Sequence, residues 1–195
     1  MSQWELRTIT PLAASHPELG RLLWALEDTR ARTRNSVSDL SQSELDWTAP
    51  GVENSIGSLL YHIALIEFDY LCIDILGGDY LKGFEEVLPF PDRDGEGNLS
   101  AVHDVSLEEH LARLDNIRGH FLSHVSPLSA EQVQAARPLP DSNYEISPAW
   151  TLLNLMQHEA EHRGQISTIR AIHEAWSSEP WVNTGLTPTE HLTRP

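Results

Sequence analysis

One cysteine in 195 residues, Cys72, leaves no partner for an internal disulfide and points to a reducing compartment. Basic residues are also scarce, with 13 Lys and Arg against 29 Asp and Glu, for a formal charge of −16. So negative a surface repels phosphate backbones and anionic headgroups, so nucleic acid and membrane surfaces are not expected partners. Long uninterrupted apolar runs are missing too. The longest candidate, around Ile56 to Leu76, is broken by His62, Glu67, Asp69 and Asp74, which suits a buried helix and not a membrane span. Met1 to Glu5 lacks the basic and apolar regions of a signal peptide, so a cytoplasmic protein is expected. Strand-like alternation is absent as well. What is present is ordinary globular composition, 40% hydrophobic and 22% charged, in a length that suits one domain.

Four segments carry helical periodicity. The first runs from about Pro17 to Leu40, opened by His16-Pro17-Glu18, where proline suits the first helical position and an acid the positive end of the dipole. The second spans about Ser55 to Leu76 and stops at Gly77-Gly78. The third begins at the capping box Ser106-Leu107-Glu108-Glu109 and continues to about Val125. The fourth opens at Ser147-Pro148 and reaches about Trp176. These predict an all-α fold, a four-helix bundle in a single domain over 1–195 with its core at about 17–176. Leu40 to Glu44 and Leu128 to Gln132 both read as short capped turns, as if two similar hairpins built the bundle; chance recurrence is the alternative. The stretch from Gly77 to Val105 is long for a bundle connection, with ordered turns expected around Tyr80 to Leu88. The tail from Ser177 to Pro195 reads as irregular, with Trp181 packed on the bundle.

The strongest chemical signal is His158-Glu159-Ala160-Glu161-His162. Residues four apart share a helix face, and Leu155, His158, His162, Ile166 and Ile169 form one apolar stripe. A matching stripe of Leu59, His62, Ile66 and Ile73 places a third histidine inward on the second helix, with Asp69 close to it. Three imidazoles from two helices fit one divalent transition metal with positions left open, and imidazole suits zinc, nickel, iron or copper. The alternative is hydrogen-bonded core histidines in a bundle that binds nothing. His173 lies eleven residues beyond His162, about 16 Å along the axis, too far for the same ion. His110, His120 and His124 read as solvated or rim residues, with His110 the reserve ligand. The same five residues spell H-E-x-x-H, in which Glu159 would be a protease's general base. Thr168 stands where the extended motif needs a third histidine, and no strand-rich half is evident, so the peptidase reading is disfavoured. Arg163 reads as solvated or paired with Glu159, the alternative being contact with a carboxylate on cofactor or substrate. Cys72 reads as a packed core residue.

Asn54-Ser55-Ile56-Gly57-Ser58-Leu59-Leu60-Tyr61-His62-Ile63-Ala64 resembles the first histidine motif of the DinB/YfiT-like superfamily. Gln157-His158-Glu159-Ala160-Glu161-His162-Arg163-Gly164-Gln165-Ile166 resembles its second, and Leu40-Ser41 with Glu44-Leu45 and Trp47 also fits. The resemblance implies a four-helix bundle, frequent homodimers, and a divalent metal, often nickel or zinc, held by His62, His158 and His162. It further implies a metal-dependent enzyme; the alternative is a non-catalytic metal- or small-ligand-binding protein with a stress-related role. As an enzyme it would transfer a low-molecular-weight thiol to a small electrophilic substrate, or isomerise one.

Overall fold

The computed structural model describes Trp4, residues 6–78, 80–139 and 142–178. Four long helical segments form the bundle, and each begins where a capping signal stands. Helix α1 spans Pro17–Val37, with proline at its start and the His16 ring accepting from the Leu19 N–H at 3.4 Å. A one-turn helix, α2 (Gln42–Asp46), follows, closed by a reciprocal capping box between Ser41 and Glu44. Helix α3 (Ile56–Asp69) is capped by Ser55, and α4 (Leu107–Val125) by the Ser106–Glu109 box. A second one-turn helix, α5 (Ala130–Gln134), has the same box between Ser129 and Gln132. The last, α6, runs over Pro148–Ser178. The two recurring Ser-x-x-Glu/Gln signals thus mark equivalent short helices, one ahead of each histidine-bearing segment. Expectations for Trp181 and most of the tail fall outside the described residues.

Two local departures from the sequence expectation have physical causes. The second long segment is not α-helical to its end: at Tyr70–Ile75 it widens into a π-helical turn, then stops at Gly77 and Gly78, whose φ values are 93° and 103°. An extra residue per turn shifts the side-chain phase. In this turn Asp74 is buried and accepts from Thr151 Oγ1 of α6 at 3.1 Å. The second departure is a small hairpin, β1 (Arg137–Pro138) antiparallel to β2 (Glu145–Ile146). Two-residue strands are too short to show alternation. Arg137 donates to the Ile73 carbonyl at 3.2 Å, satisfying one acceptor of the π turn.

The most extensive packing pairs α1 with α6 and α3 with α4, and α3 also lies on α6. Consecutive long helices are therefore not always principal partners. The core divides into two apolar halves. One contains Leu59, Ile63, Leu114, Ile117, Ile166 and Ile169. The other contains Leu19, Leu23, Leu26, Phe121, Leu152 and Leu155. By hydropathy and length Ile56–Ile75 could cross a membrane, but 78% of its most apolar window is buried inside the bundle, as expected for a core helix.

Candidate metal centre

Apolar neighbours pin α3 and α6 face to face, and this brings His62, His158 and His162 together. His158 Nε2 lies 3.2 Å from His62 Nε2 and 3.0 Å from His162 Nε2. One ring nitrogen from each histidine lies within 4.8 Å of those of the other two. Tetrahedral bonds of about 2.0–2.1 Å to one ion put ligand nitrogens roughly 3.3–3.4 Å apart, close to these separations.

Proton accounting tests the fit more sharply. His62 Nδ1 lies 2.7 Å from Asp92 Oδ1, and a carboxylate only accepts, so Nδ1 carries the proton. His162 Nδ1 likewise faces Gln165 Oε1 at 2.8 Å. In neutral rings both Nε2 atoms are then bare lone pairs aimed at His158 Nε2, which has at most one proton to give. A cation at the meeting point resolves that deficit, and an acceptor on the far nitrogen is the arrangement metal-binding imidazoles favour. Burial favours the neutral, ligating form of His158 and His62. Desolvation, with His162 and His62 adding to it, pushes His158 down to about 3. Desolvation also lowers His62, against the opposing pull of Asp92.

Asp92 is the site residue that sequence reasoning missed. It lies in the connection between α3 and α4, an acid among several, with no spacing that singles it out. Its position is set by a tether. Tyr61, buried beside His62 in sequence, donates its hydroxyl to the Phe90 carbonyl at 2.5 Å and accepts from the Phe90 N–H at 2.8 Å. Beyond Asp92, Asp94 accepts from the Glu96 and Asn98 N–H groups at 2.9 and 3.0 Å, closing a turn. Val102 N–H, fully buried, donates to Ser58 Oγ at 3.0 Å. The long connection is therefore a packed strap across the ligand-bearing helix, with the expected turn at Phe84–Leu88.

Glu159 lies elsewhere. It is buried, and Arg30 Nε reaches its Oε1 at 2.9 Å while Arg118 approaches Oε2 at 3.5 Å. Arg30 also binds Glu67 at 2.5 Å, and Arg118 binds Glu67 and, at 2.6 Å, Glu27. Each of the four long helices contributes to this ionic layer between the apolar halves. The glutamate of H-E-x-x-H is thus occupied by two guanidinium groups, a further reason against the already disfavoured reading of it as a general base. Arg163 does not pair with Glu159 either; it donates to the Thr29 carbonyl at 3.2 Å.

Among the described residues, His110, His120, His124 and His173 stay apart from the triad. His110 is buried, not solvated, with Nδ1 3.2 Å from Arg113 and Nε2 against Gly57, and its desolvation lowers it to about 4. His120 is exposed and meets the Phe84 ring edge-on, and His124 bonds the His120 carbonyl. His173 packs edge-on against Trp47 at 4.9 Å. Asp69 accepts from the Tyr80 hydroxyl at 3.0 Å, and Cys72 is fully buried.

With this geometry in view, the comparisons with known proteins are consistent. A crystal structure of a conserved protein from Enterococcus faecalis superposes with a TM-score of 0.61 at 16% identity, covering 77% of this chain and 94% of that one. YfiT from Bacillus subtilis, described as a probable metal-dependent hydrolase with an unusual four-helix bundle topology, gives 0.57 at 16% identity, over 82% and 90%. At such identity the likeness is one of fold. No functionally curated protein matches the chain. The sequence pattern of the DinB superfamily matches residues 25–166, which include all three histidines of the triad, and the chain belongs to that superfamily.

Proposed function

We propose that this chain is a divalent-metal-dependent enzyme acting on a small electrophilic substrate, with His62, His158 and His162 as the metal ligands. The observation that carries this reading is the pair of imidazole lone pairs aimed at a third imidazole, from rings oriented by Asp92 and Gln165. Bound nickel or zinc would supply Lewis acidity and lower the pKa of a thiol or water in its open positions. The chain's own part is orientation. Asp92 holds the Nδ1 proton of His62, Gln165 does the same for His162, and burial favours the uncharged forms of His62 and His158.

We take the nucleophile to be a low-molecular-weight thiol, which makes the reaction a transfer to the substrate or an isomerisation. Water in the same role would give hydrolysis, a second reading favoured by the description of YfiT. The expected partner is a small molecule, and the expected assembly a homodimer.

Elemental analysis of protein purified with added nickel or zinc should find close to one ion per chain. Less than about a tenth of an ion per chain would sink the metal reading. Metal-loaded protein is then assayed against model electrophiles with and without thiol, and against simple esters and amides. Thiol-dependent turnover supports transfer, and thiol-independent cleavage supports hydrolysis. A full metal complement with neither activity would instead mark a metal- or small-ligand-binding protein.

A further inference from the structure

An open cleft of about 690 Å³, a size that suits a small organic ligand, is lined by Gln165, the hydrogen-bond partner of His162. It is bounded by the turn ahead of α3 (residues 51–54) and by one face of α6. Gln165 belongs to both places, since it orients His162 and lines the cleft. The apolar lining is part-buried Val52, backed by buried Leu59 and Ile169. Asn54 and Gln165 offer amide groups on the walls, and the rim carries two carboxylates, Glu53 and Glu161. No lysine, arginine or histidine lines the cleft among the described residues. The cations nearest in sequence are engaged elsewhere: Arg163 on the Thr29 carbonyl, and Arg170 on Asp39 and the Ser36 carbonyl. Neither rim carboxylate has an ion-pair partner among the described residues.

From this we infer that the cleft is the substrate subsite of the metal centre and selects an amine-bearing or neutral molecule with a short apolar segment, against anionic ones. An anion would meet two like charges with no compensating cation among the described residues, whereas an ammonium group meets carboxylate acceptors at the rim while its alkyl part packs on the apolar lining that includes Val52. The cleft's role as a substrate subsite rests on the proposed metal site, but its charge preference does not.

The test uses three six-carbon probes of matched length, hexylammonium, hexanol and hexanesulfonate, titrated at low ionic strength into the full chain with and without zinc. Amide NMR shifts locate the bound probe. Hexylammonium should bind at least ~10-fold more tightly than hexanesulfonate in both forms, with shifts at residues 51–54 and 161–169. The double substitution Glu53→Gln with Glu161→Gln should bring the two affinities within about 2-fold while the zinc content stays unchanged. Glu161→Lys should move the preference toward the sulfonate. Equal or tighter sulfonate binding to the unsubstituted chain overturns the inference, as does a preference that survives the double substitution or a shift pattern elsewhere. Because the metal-free arm needs no ion, a failed metal site and a failed cleft preference give different results.

Discussion

Replacing Glu159 with alanine removes the carboxylate that sits between two buried guanidinium groups. Arg30 loses partners at 2.9 and 3.2 Å and keeps Glu67 and the Leu114 carbonyl. Arg118 loses only a 3.5 Å contact. Two arginines then share one buried carboxylate, Glu67, together with Glu27, whose side chain is 39% exposed. Stranding a buried charge in this way costs about 3–5 kcal/mol. In a chain of this length each kcal/mol moves the midpoint by roughly 2–4 °C, so a drop of about 6–20 °C is expected. Urea unfolding gives the free energy and calorimetry the midpoint. Glu159→Gln keeps the shape and one acceptor, and should lose less. A loss below about 1 kcal/mol for the alanine variant, the size of an exposed pair, would refute the reasoning. The glutamine variant also tests the disfavoured peptidase motif. Stable, metal-loaded Glu159→Gln that has lost all turnover would restore the general-base role that the structure denies to Glu159.

Other expected outcomes follow from single contacts. Asp92→Ala frees the Nδ1 proton of His62 from its acceptor and should weaken metal binding about 10–100-fold in a chelator competition; unchanged affinity would remove Asp92 from the site. Gly57→Ala would place a methyl 3.2 Å from His110 Nε2 and 3.3 Å from the Leu45 and Val102 carbonyls. A loss of about 1–3 kcal/mol in urea is expected, and a neutral result would mean that these groups yield freely. Burial would push the Glu67 carboxyl up, but Arg118 and Arg30 outweigh it and hold it below its ordinary value. A depressed folded-state pKa stabilises above the unfolded value of about 4.3 and loses that stability as pH falls through the lower folded value. The stability difference between the unsubstituted chain and Glu67→Gln should therefore be flat from pH 7 to about 5 and shrink below about 4. Shrinkage already near pH 6 would contradict the assignment.

Periodicity and caps made the helices legible. Pro17, Ser55, Ser106 and Pro148 mark starts that the structure places within a residue, because a cap is a local hydrogen bond written in local sequence. The triad was legible for a similar reason, as spacing on one helix and an apolar stripe on another are both local patterns. The π turn at Tyr70 and the hairpin at Arg137 were not, since both are settled by contacts with other elements. Asp92 is the instructive omission. Its role depends on Tyr61 holding Phe90, thirty positions of chain folding back so that one acid of an acid-rich connection meets His62. Glu159 shows the opposite case, because the motif around it is local but the partners that set its role, Arg30 and Arg118, are not.

The ionic layer and the triad are linked through the two helices that carry them. Helix α3 supplies His62 and, five residues on, Glu67; α6 supplies His158 and His162 with Glu159 between them. Arg30 from α1 grips Glu67 and Glu159 together, and Arg118 from α4 grips Glu67 through two nitrogens and approaches Glu159 at 3.5 Å. The guanidinium groups therefore tie α3 to α6, the pair whose relative register sets the distance from His62 to the other two imidazoles. Apolar side chains alone permit small rotations and slides at little cost, whereas paired hydrogen bonds to a planar fork fix both. The glutamate inside H-E-x-x-H thus serves the proposed metal site without touching it. A metal affinity that falls in step with the Glu159→Ala loss of stability is the signature of that indirect role, and the Asp92→Ala variant, weak in metal yet near normal in stability, is its counterpart.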